Sequence, residues 1–201
     1  MDIVSVTDRR RCVRPLEEQV ELVCEAGADM VVLREKDLSE GEYRALAASV
    51  ARICRSFGTE FCVNLHAPVA EEMGSALWLP FDAFVRAGRP RVRRLGVSVH
   101  SFEEGVEAAG GGADFVVYGN VFETSCKPGK AARGLDDVRR LSEALDAPVY
   151  AIGGINPGNI GEVAASGAQG ACLMSGLMAS ESPSKVVSAC RSASQTLERK
   201  R

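Results

Sequence analysis

The chain lacks most of what marks a nucleic-acid, membrane or metal-binding protein. Aromatic residues are only 5% of its 201 positions, too few for a base-stacking surface. The formal net charge is −3, so there is no basic field to draw nucleic acid or an anionic lipid surface. No apolar run approaches the roughly 18 to 20 residues that span a bilayer. The first residues, MDIVSVTDRRR, place no apolar stretch before their charges, so no signal peptide is expected and the reading is cytoplasmic. There are two histidines, His66 and His100, with no HxH or HExxH spacing, which argues against a catalytic metal. The seven cysteines are odd in number and form no CxxC pair, so neither a disulfide framework nor a zinc site is indicated. They read instead as reduced thiols, mostly buried as small hydrophobes. No long Pro/Gly/Ser linker interrupts the chain, and residues 1–201 read as one domain.

What is present is a regular alternation. Eight short apolar runs recur: Ile3–Val6, Met30–Leu33, Phe61–Asn64, Ala76–Leu79, Leu95–Val99, Phe115–Tyr118, Val149–Ala151 and Ala171–Leu173. Each is near-continuously apolar, as strands covered on both faces should be. Amphipathic segments lie between them at Leu16–Glu25, Glu42–Phe57, Phe102–Ala109, Leu135–Leu145, Asn159–Ala165 and Pro183–Leu197. Residues 65–75 and 80–94 look too short or irregular for full helices. Three Gly-Ala pairs, beginning at Gly27, Gly112 and Gly167, precede strands as helix-ending turns. The pattern predicts an α/β fold, a compact (β/α)₈ TIM barrel. A doubly wound open sheet is the alternative, but VTDRRR stands where its GxGxxG would follow the first strand.

In a barrel the chemistry belongs at the C-terminal strand ends. Polar residues gather there: Thr7-Asp8, Arg34-Glu35-Lys36, Asn64, His100, the stretch from Asn120 to Lys127, Gly153-Gly154 and Ser175-Gly176. His100 is the proton-transfer candidate, because an imidazole titrates near neutral pH. Gly153, Gly154, Ser175 and Gly176 form a candidate phosphate site after strands seven and eight, although glycine is also an ordinary turn residue. Arg34 can fork onto a carboxylate or phosphate and Lys36 acts as a point charge, unless the triplet is simply a solvated loop. His66 reads as a surface residue. Cys126, beside Lys127, reads as a structural or substrate-lining thiol rather than a nucleophile.

These residues together resemble the thiamine phosphate synthase and TenI superfamily. The resemblance runs from VSVTD to LMSGLMAS. It is carried by LREK (33–36), VSVHS (97–101), GNVFETSCKPG (119–129), AIGGI (151–155) and MSG (174–176). It implies a barrel that handles a thiazole phosphate, and within the superfamily it implies one of two activities. The synthase joins a pyrimidine diphosphate to thiazole phosphate, expels pyrophosphate and uses Mg²⁺. Its pattern has Asp directly after the strand-three Asn and a second Asp just beyond strand four. Here Leu65 follows Asn64, and Asp82 is one position out of step. The TenI-type thiazole tautomerase is the better match, with SVHS and a VFETxCKxG loop. One departure is Asn120, where that group tends to show histidine.

On that resemblance His100 is the catalytic residue. It moves a proton from the thiazole ring C2 to the exocyclic carbon, so a carboxythiazole phosphate tautomer becomes aromatic. The resemblance further implies that Arg34 and Lys127 hold the carboxylate and that Gly154 and Ser175 anchor the phosphate. Lys36, Asn64, Thr124, Gly153 and Gly176 complete the expected substrate contacts. No cofactor or metal is expected, with Mg²⁺ needed only for the synthase alternative. The expected partner is the small-molecule thiazole phosphate, with no nucleic acid and no membrane. A non-catalytic regulator that binds thiazole phosphates, and another phosphate-handling barrel, are further alternatives. A homodimer would fit the family, with Trp78–Val85 then serving as interface or loop cover.

Overall fold

The computed structural model describes residues 1–124, 129 and 131–198. Eight parallel strands close on themselves in sequence order: β1 (Asp2–Val6), β2 (Met30–Leu33), β3 (Glu60–Asn64), β4 (Ala76–Pro80), β5 (Arg94–Val99), β6 (Phe115–Gly119), β7 (Val149–Ile152) and β8 (Gly170–Leu173). The ring closes where β8 pairs with β1, Val4 lying opposite Cys172. The fold is therefore the expected α/β barrel, and every strand lies within a residue or two of its apolar run.

The intervening helices are α1 (Leu16–Glu25), α2 (Glu40–Phe57), α3 (Ala67–Met73), α4 (Phe81–Ala87), α5 (Phe102–Gly110), α6 (Asp136–Ala144), α7 (Ile160–Ala165), α8 (Ser175–Met178) and α9 (Pro183–Glu198). The two segments without a clear pattern are α3 and α4, of seven residues each. Fewer than two full turns give too few repeats for a helical period to show. The start of α2 is set by a capping box, in which Ser39 Oγ accepts from Glu42 N and Ser39 N donates to Glu42 Oε2.

Alternate strand residues divide the buried side chains into two cores. One lies between barrel and helices and holds Ile3, Val31, Val63, Leu77, Leu95 and Val99 among others. The other fills the barrel itself with Val4, Met30, Val32, Trp78, Phe115 and Tyr150. The interior aromatics need small neighbours. A Cβ on Gly170 would stand 2.6 Å from the Tyr150 ring, and one on Gly96 would overlap the ring of Phe115. Of the segment Trp78–Val85, expected as interface or loop cover, Trp78 fills the barrel interior at 4% exposed, which corrects its place in that expectation, while Val85 on α4 is 54% exposed.

The N-terminal end of the barrel is closed by a polar layer. Arg94 Nη1 donates to Glu60 Oε2 at 2.8 Å, its guanidinium lies 4.6 Å from the Phe115 ring centre, and Tyr150 donates to Asp2 Oδ2 at 2.8 Å. The opposite end carries His100, Arg34, Asn64 and Gly153, each at or just after the end of its strand. Among the described residues no helix is long and apolar enough to cross a membrane.

Candidate active site

His100 follows the last residue of β5, and three contacts fix it. Its backbone N–H donates to Glu104 Oε2 at 2.7 Å, while Ser101 Oγ caps α5 by accepting from Glu104 N at 3.2 Å. Its carbonyl accepts from Arg133 Nη1 at 2.9 Å. Its Nδ1 lies 2.5 Å from the carbonyl oxygen of Gly119, at the end of the neighbouring strand β6. A carbonyl can only accept, so Nδ1 carries the proton and, in the neutral ring, Nε2 carries the lone pair. The half-buried imidazole is thus held in the tautomer that leaves Nε2 as a base.

The loop after β6 is anchored beside His100 on both sides. Val121 N donates to Ile152 O at 2.9 Å and Phe122 N to Gly153 O at 3.1 Å, so this loop continues the pairing with the β7 end. On its return, Arg133 N donates to Asn120 O at 2.9 Å and Gly134 N to Val121 O at 3.1 Å. Thr124 lies half-buried on this loop. Cys126 and Lys127 lie outside the described residues. Asn120 is 4% exposed, and its Nδ2 faces the carbonyls of Phe122 and Ala131 at 3.4 Å.

Gly153 and Gly154 have φ of 109° and 67°. A Cβ on Gly153 would stand 2.6 Å from Asn120 Cβ, and one on Gly154 would stand 2.8 Å from Phe122 Cβ and overlap the carbonyl oxygen of Glu123. Both glycines are therefore required by the docking of the two loops, whatever ligand they meet. The turn beyond is knotted by asparagines: Asn156 N donates to Asn159 Oδ1 at 2.8 Å, and Asn159 Nδ2 donates to Gly154 O at 3.0 Å. Ser175 and Gly176 open α8, ahead of its first internal bond from Leu177 N to Met174 O. Gly176 has no such crowding, its nearest neighbour being Leu173 Cδ2 at 3.9 Å.

Across the barrel end, Tyr43 ties β2 to β3. Its hydroxyl donates to Leu33 O at 2.6 Å and accepts from Asn64 N at 3.2 Å. Burial pushes its pKa up, so it stays a donor. Asn64 Nδ2 donates to Trp78 O at 2.9 Å, and Trp78 Nε1 donates to Ser98 Oγ at 2.6 Å. The sequence expectation of a surface His66 needs correcting. The ring is half-buried and stacks on Tyr43, centroids 3.9 Å apart. Desolvation lowers its pKa, with Glu40 opposing.

Arg34 is half-buried and Lys36 exposed, and among the described residues neither has a carboxylate partner. The Arg34 charge, then partial burial, lowers the Lys36 pKa, as expected of two neighbouring cations that lack a counter-charge. Glu35, between them, points away into loop one. The sequence allows only one or two of this triplet to face the strand end, without saying which. The signal for the split was Thr7, a hydroxyl directly after β1.

The carboxylates do not form a magnesium site. Leu65 occupies the position after Asn64, at φ 73° and 38% exposed, and offers no oxygen from its side chain. Asp82 is on α4, 69% exposed and paired with Arg86 at 3.1 Å. Glu35 and Asp37 are both bonded to Arg9. Among the described residues no group of three His, Cys, Asp or Glu side chains could hold a metal. Mg²⁺ at a diphosphate takes one or two carboxylates, with phosphate oxygens and water completing its shell, and here neither Leu65 nor the outward Asp82 supplies one.

Residues 3–177 match the family model described as thiamine monophosphate synthase. A thiamine-phosphate synthase of Geobacillus kaustophilus is 33% identical over 192 residues, covering 88% of this chain and 84% of that protein. One of Pyrococcus furiosus is 30% identical over 195 residues, covering 95% and 93%. A solved structure described as thiamine phosphate pyrophosphorylase from Pyrococcus furiosus superposes with a TM-score of 0.84 at 28% identity, covering 98% of this chain and 96% of that one. With a closed eight-stranded barrel and these matches along nearly its whole length, the chain belongs to the thiamine monophosphate synthase family.

Proposed function

We propose that this chain is a thiazole tautomerase of that family, working on a carboxythiazole phosphate without a metal or cofactor. The observation that carries this reading is the hydrogen bond from His100 Nδ1 to Gly119 O, which leaves Nε2 as a base at the barrel end. Nε2 takes the ring C2 proton, giving an imidazolium still bonded to Gly119 O. The same nitrogen then delivers a proton to the exocyclic carbon, and the ring becomes aromatic. Only C–H bonds form and break, so one acid–base group suffices. Aromatisation drives the step, and the protein supplies position and protonation state.

Arg34 and Lys36 offer uncompensated charge to the substrate carboxylate, with Lys127 and Thr124 expected to assist. The backbone at Gly153, Gly154, Ser175 and Gly176 would receive the phosphate, and Asn64 would contact the ring. The aromatic product leaves without any group attached to the protein.

The named relatives favour a second reading, the synthase itself, which joins a pyrimidine diphosphate to thiazole phosphate. We rank it second on the side chains alone, because Leu65 and the outward Asp82 offer no carboxylate to a diphosphate-bound cation. The experiment that tests the order supplies the purified protein first with the tautomer, then with both thiamine precursors and Mg²⁺. His100→Asn should slow aromatisation by about 10²-fold or more, the usual scale of acid–base catalysis. Near-wild-type turnover in that variant excludes His100 as the shuttle. Sustained pyrophosphate release by the wild type reverses the order of the two readings.

A further inference from the structure

The strand pairing of β2 ends at Leu33, so another feature must hold the three charged residues that follow. That feature is a buried carboxylate. Thr7 N makes the last ladder bond, to Val32 O at 3.0 Å. Thr7 Oγ1 accepts from Arg34 N at 2.9 Å and donates to Glu35 Oε1 at 2.7 Å. Arg9 adds its backbone N–H to Oε1 at 3.1 Å and its Nη1 to Oε2 at 3.1 Å. The same guanidinium forks onto Asp37 at 2.6 and 2.7 Å. Glu35 is 4% exposed, and both of its oxygens are engaged from the loop after β1.

The charge balance of this cluster is selective. A carboxylate between Arg34 and Lys36 in sequence could neutralise either one. It is bonded instead by Arg9, from the neighbouring loop. Arg34 and Lys36 keep their full charge, and Arg9 has none left for a ligand. Burial marks the split: Glu35 is buried, while Arg34 is half-buried and Lys36 exposed.

We propose that Glu35 is the positioning residue of the cation pair. Its carboxylate, clamped by Thr7 and Arg9, holds the 34–36 segment so that Arg34 and Lys36 together meet an oxyanion of the substrate. The inference rests on reading Arg34 and Lys36 as substrate ligands. Glu35 itself touches no substrate and is not the base.

The test is a double-mutant cycle on binding of the aromatic carboxythiazole phosphate, measured by calorimetry, which needs no turnover. In Glu35→Gln one oxygen becomes an NH₂ group that must face the Arg9 donors. Binding should weaken by about tenfold, the equivalent of one charge-assisted contact. Arg34→Met should weaken it at least as much. The double variant should lose less than the sum of the two single losses, because part of the clamp's effect passes through Arg34 and the rest through Lys36. In turnover the loss should appear in KM rather than in kcat. Thr7→Val, which cuts the link between Glu35 and Arg34 N, should repeat the effect if Glu35→Gln does not fold.

Binding by Glu35→Gln within twofold of wild type, or fully additive losses in the double variant, overturns the inference and leaves the cation pair standing. Unchanged binding in both Arg34→Met and Lys36→Met removes the cation-pair reading and the clamp with it.

Discussion

Gly154→Ala separates what the fold demands of the loop glycines from what a ligand demands. The residue sits at φ 67°, and its new methyl would overlap the carbonyl oxygen of Glu123 and stand 2.8 Å from Phe122 Cβ. The left-handed backbone costs an L-residue about 1–2 kcal/mol, and overpacking adds about 1–3 kcal/mol. The obstruction is backbone on a loop tied at both ends, so it cannot rotate away as a flexible side chain would. A total of about 3 kcal/mol should lower the melting temperature by about 6–12 °C in a domain of this size. Two controls bracket the result. Gly41→Ala, in α2 with nothing within 4 Å of its Cβ position, should leave the melting temperature unchanged or raise it. Gly176→Ala should be nearly neutral in stability, since its nearest neighbour is 3.9 Å away, and so reports ligand contact alone. Calorimetric melting of the three variants is the assay. A Gly154→Ala protein that melts within 2 °C of wild type, below the about 2–4 °C expected for even 1 kcal/mol, would refute the docking of the loop after β6 on the loop after β7.

Tyr43→Phe leaves Leu33 O and Asn64 N without their shared hydroxyl. It should cost about 2 kcal/mol, or about 4–8 °C in melting temperature, with a clear drop measurable by calorimetry. His66 titrates below its usual range because burial disfavours its charged form. The unfolded chain therefore binds the proton more readily, and the His66 contribution is present above about pH 6.5 and lost as pH falls toward the folded-state pKa. His66→Phe, which keeps a ring against Tyr43, should narrow the gap in melting temperature between pH 7.5 and 5.5. An unchanged gap would show that His66 is not the source.

The barrel was legible in the sequence because each strand is buried on both faces and so reads as an apolar block. Phe115–Gly119 and Met30–Leu33 are buried at every position. The turns were legible through glycine, as at Gly27, Gly112 and Gly167, all with positive φ. What stayed hidden depends on contacts between loops. Glu35 reads as one of a charged triplet of which only one or two can face the strand end, and only the arrival of Thr7 and Arg9 from another loop shows it to be the buried member. His66 looked superficial because its partner, Tyr43, lies on α2, far from it in the chain. The tautomer of His100 was equally out of reach, since it is set by Gly119, nineteen residues on. The pair Gly153-Gly154 was read as a phosphate cradle, and the geometry adds a steric reason for both glycines that stands apart from any ligand.

The most direct measurement uses the thiazole tautomer labelled with deuterium at ring C2 and follows its aromatisation by wild type and by His100→Asn in the same buffer. If Nε2 removes that hydrogen, the wild type converts the unlabelled tautomer faster than the deuterated one, and the variant loses both the turnover and the isotope effect. Equal conversion by His100→Asn, or a wild-type rate no faster than buffer alone, would contradict the account.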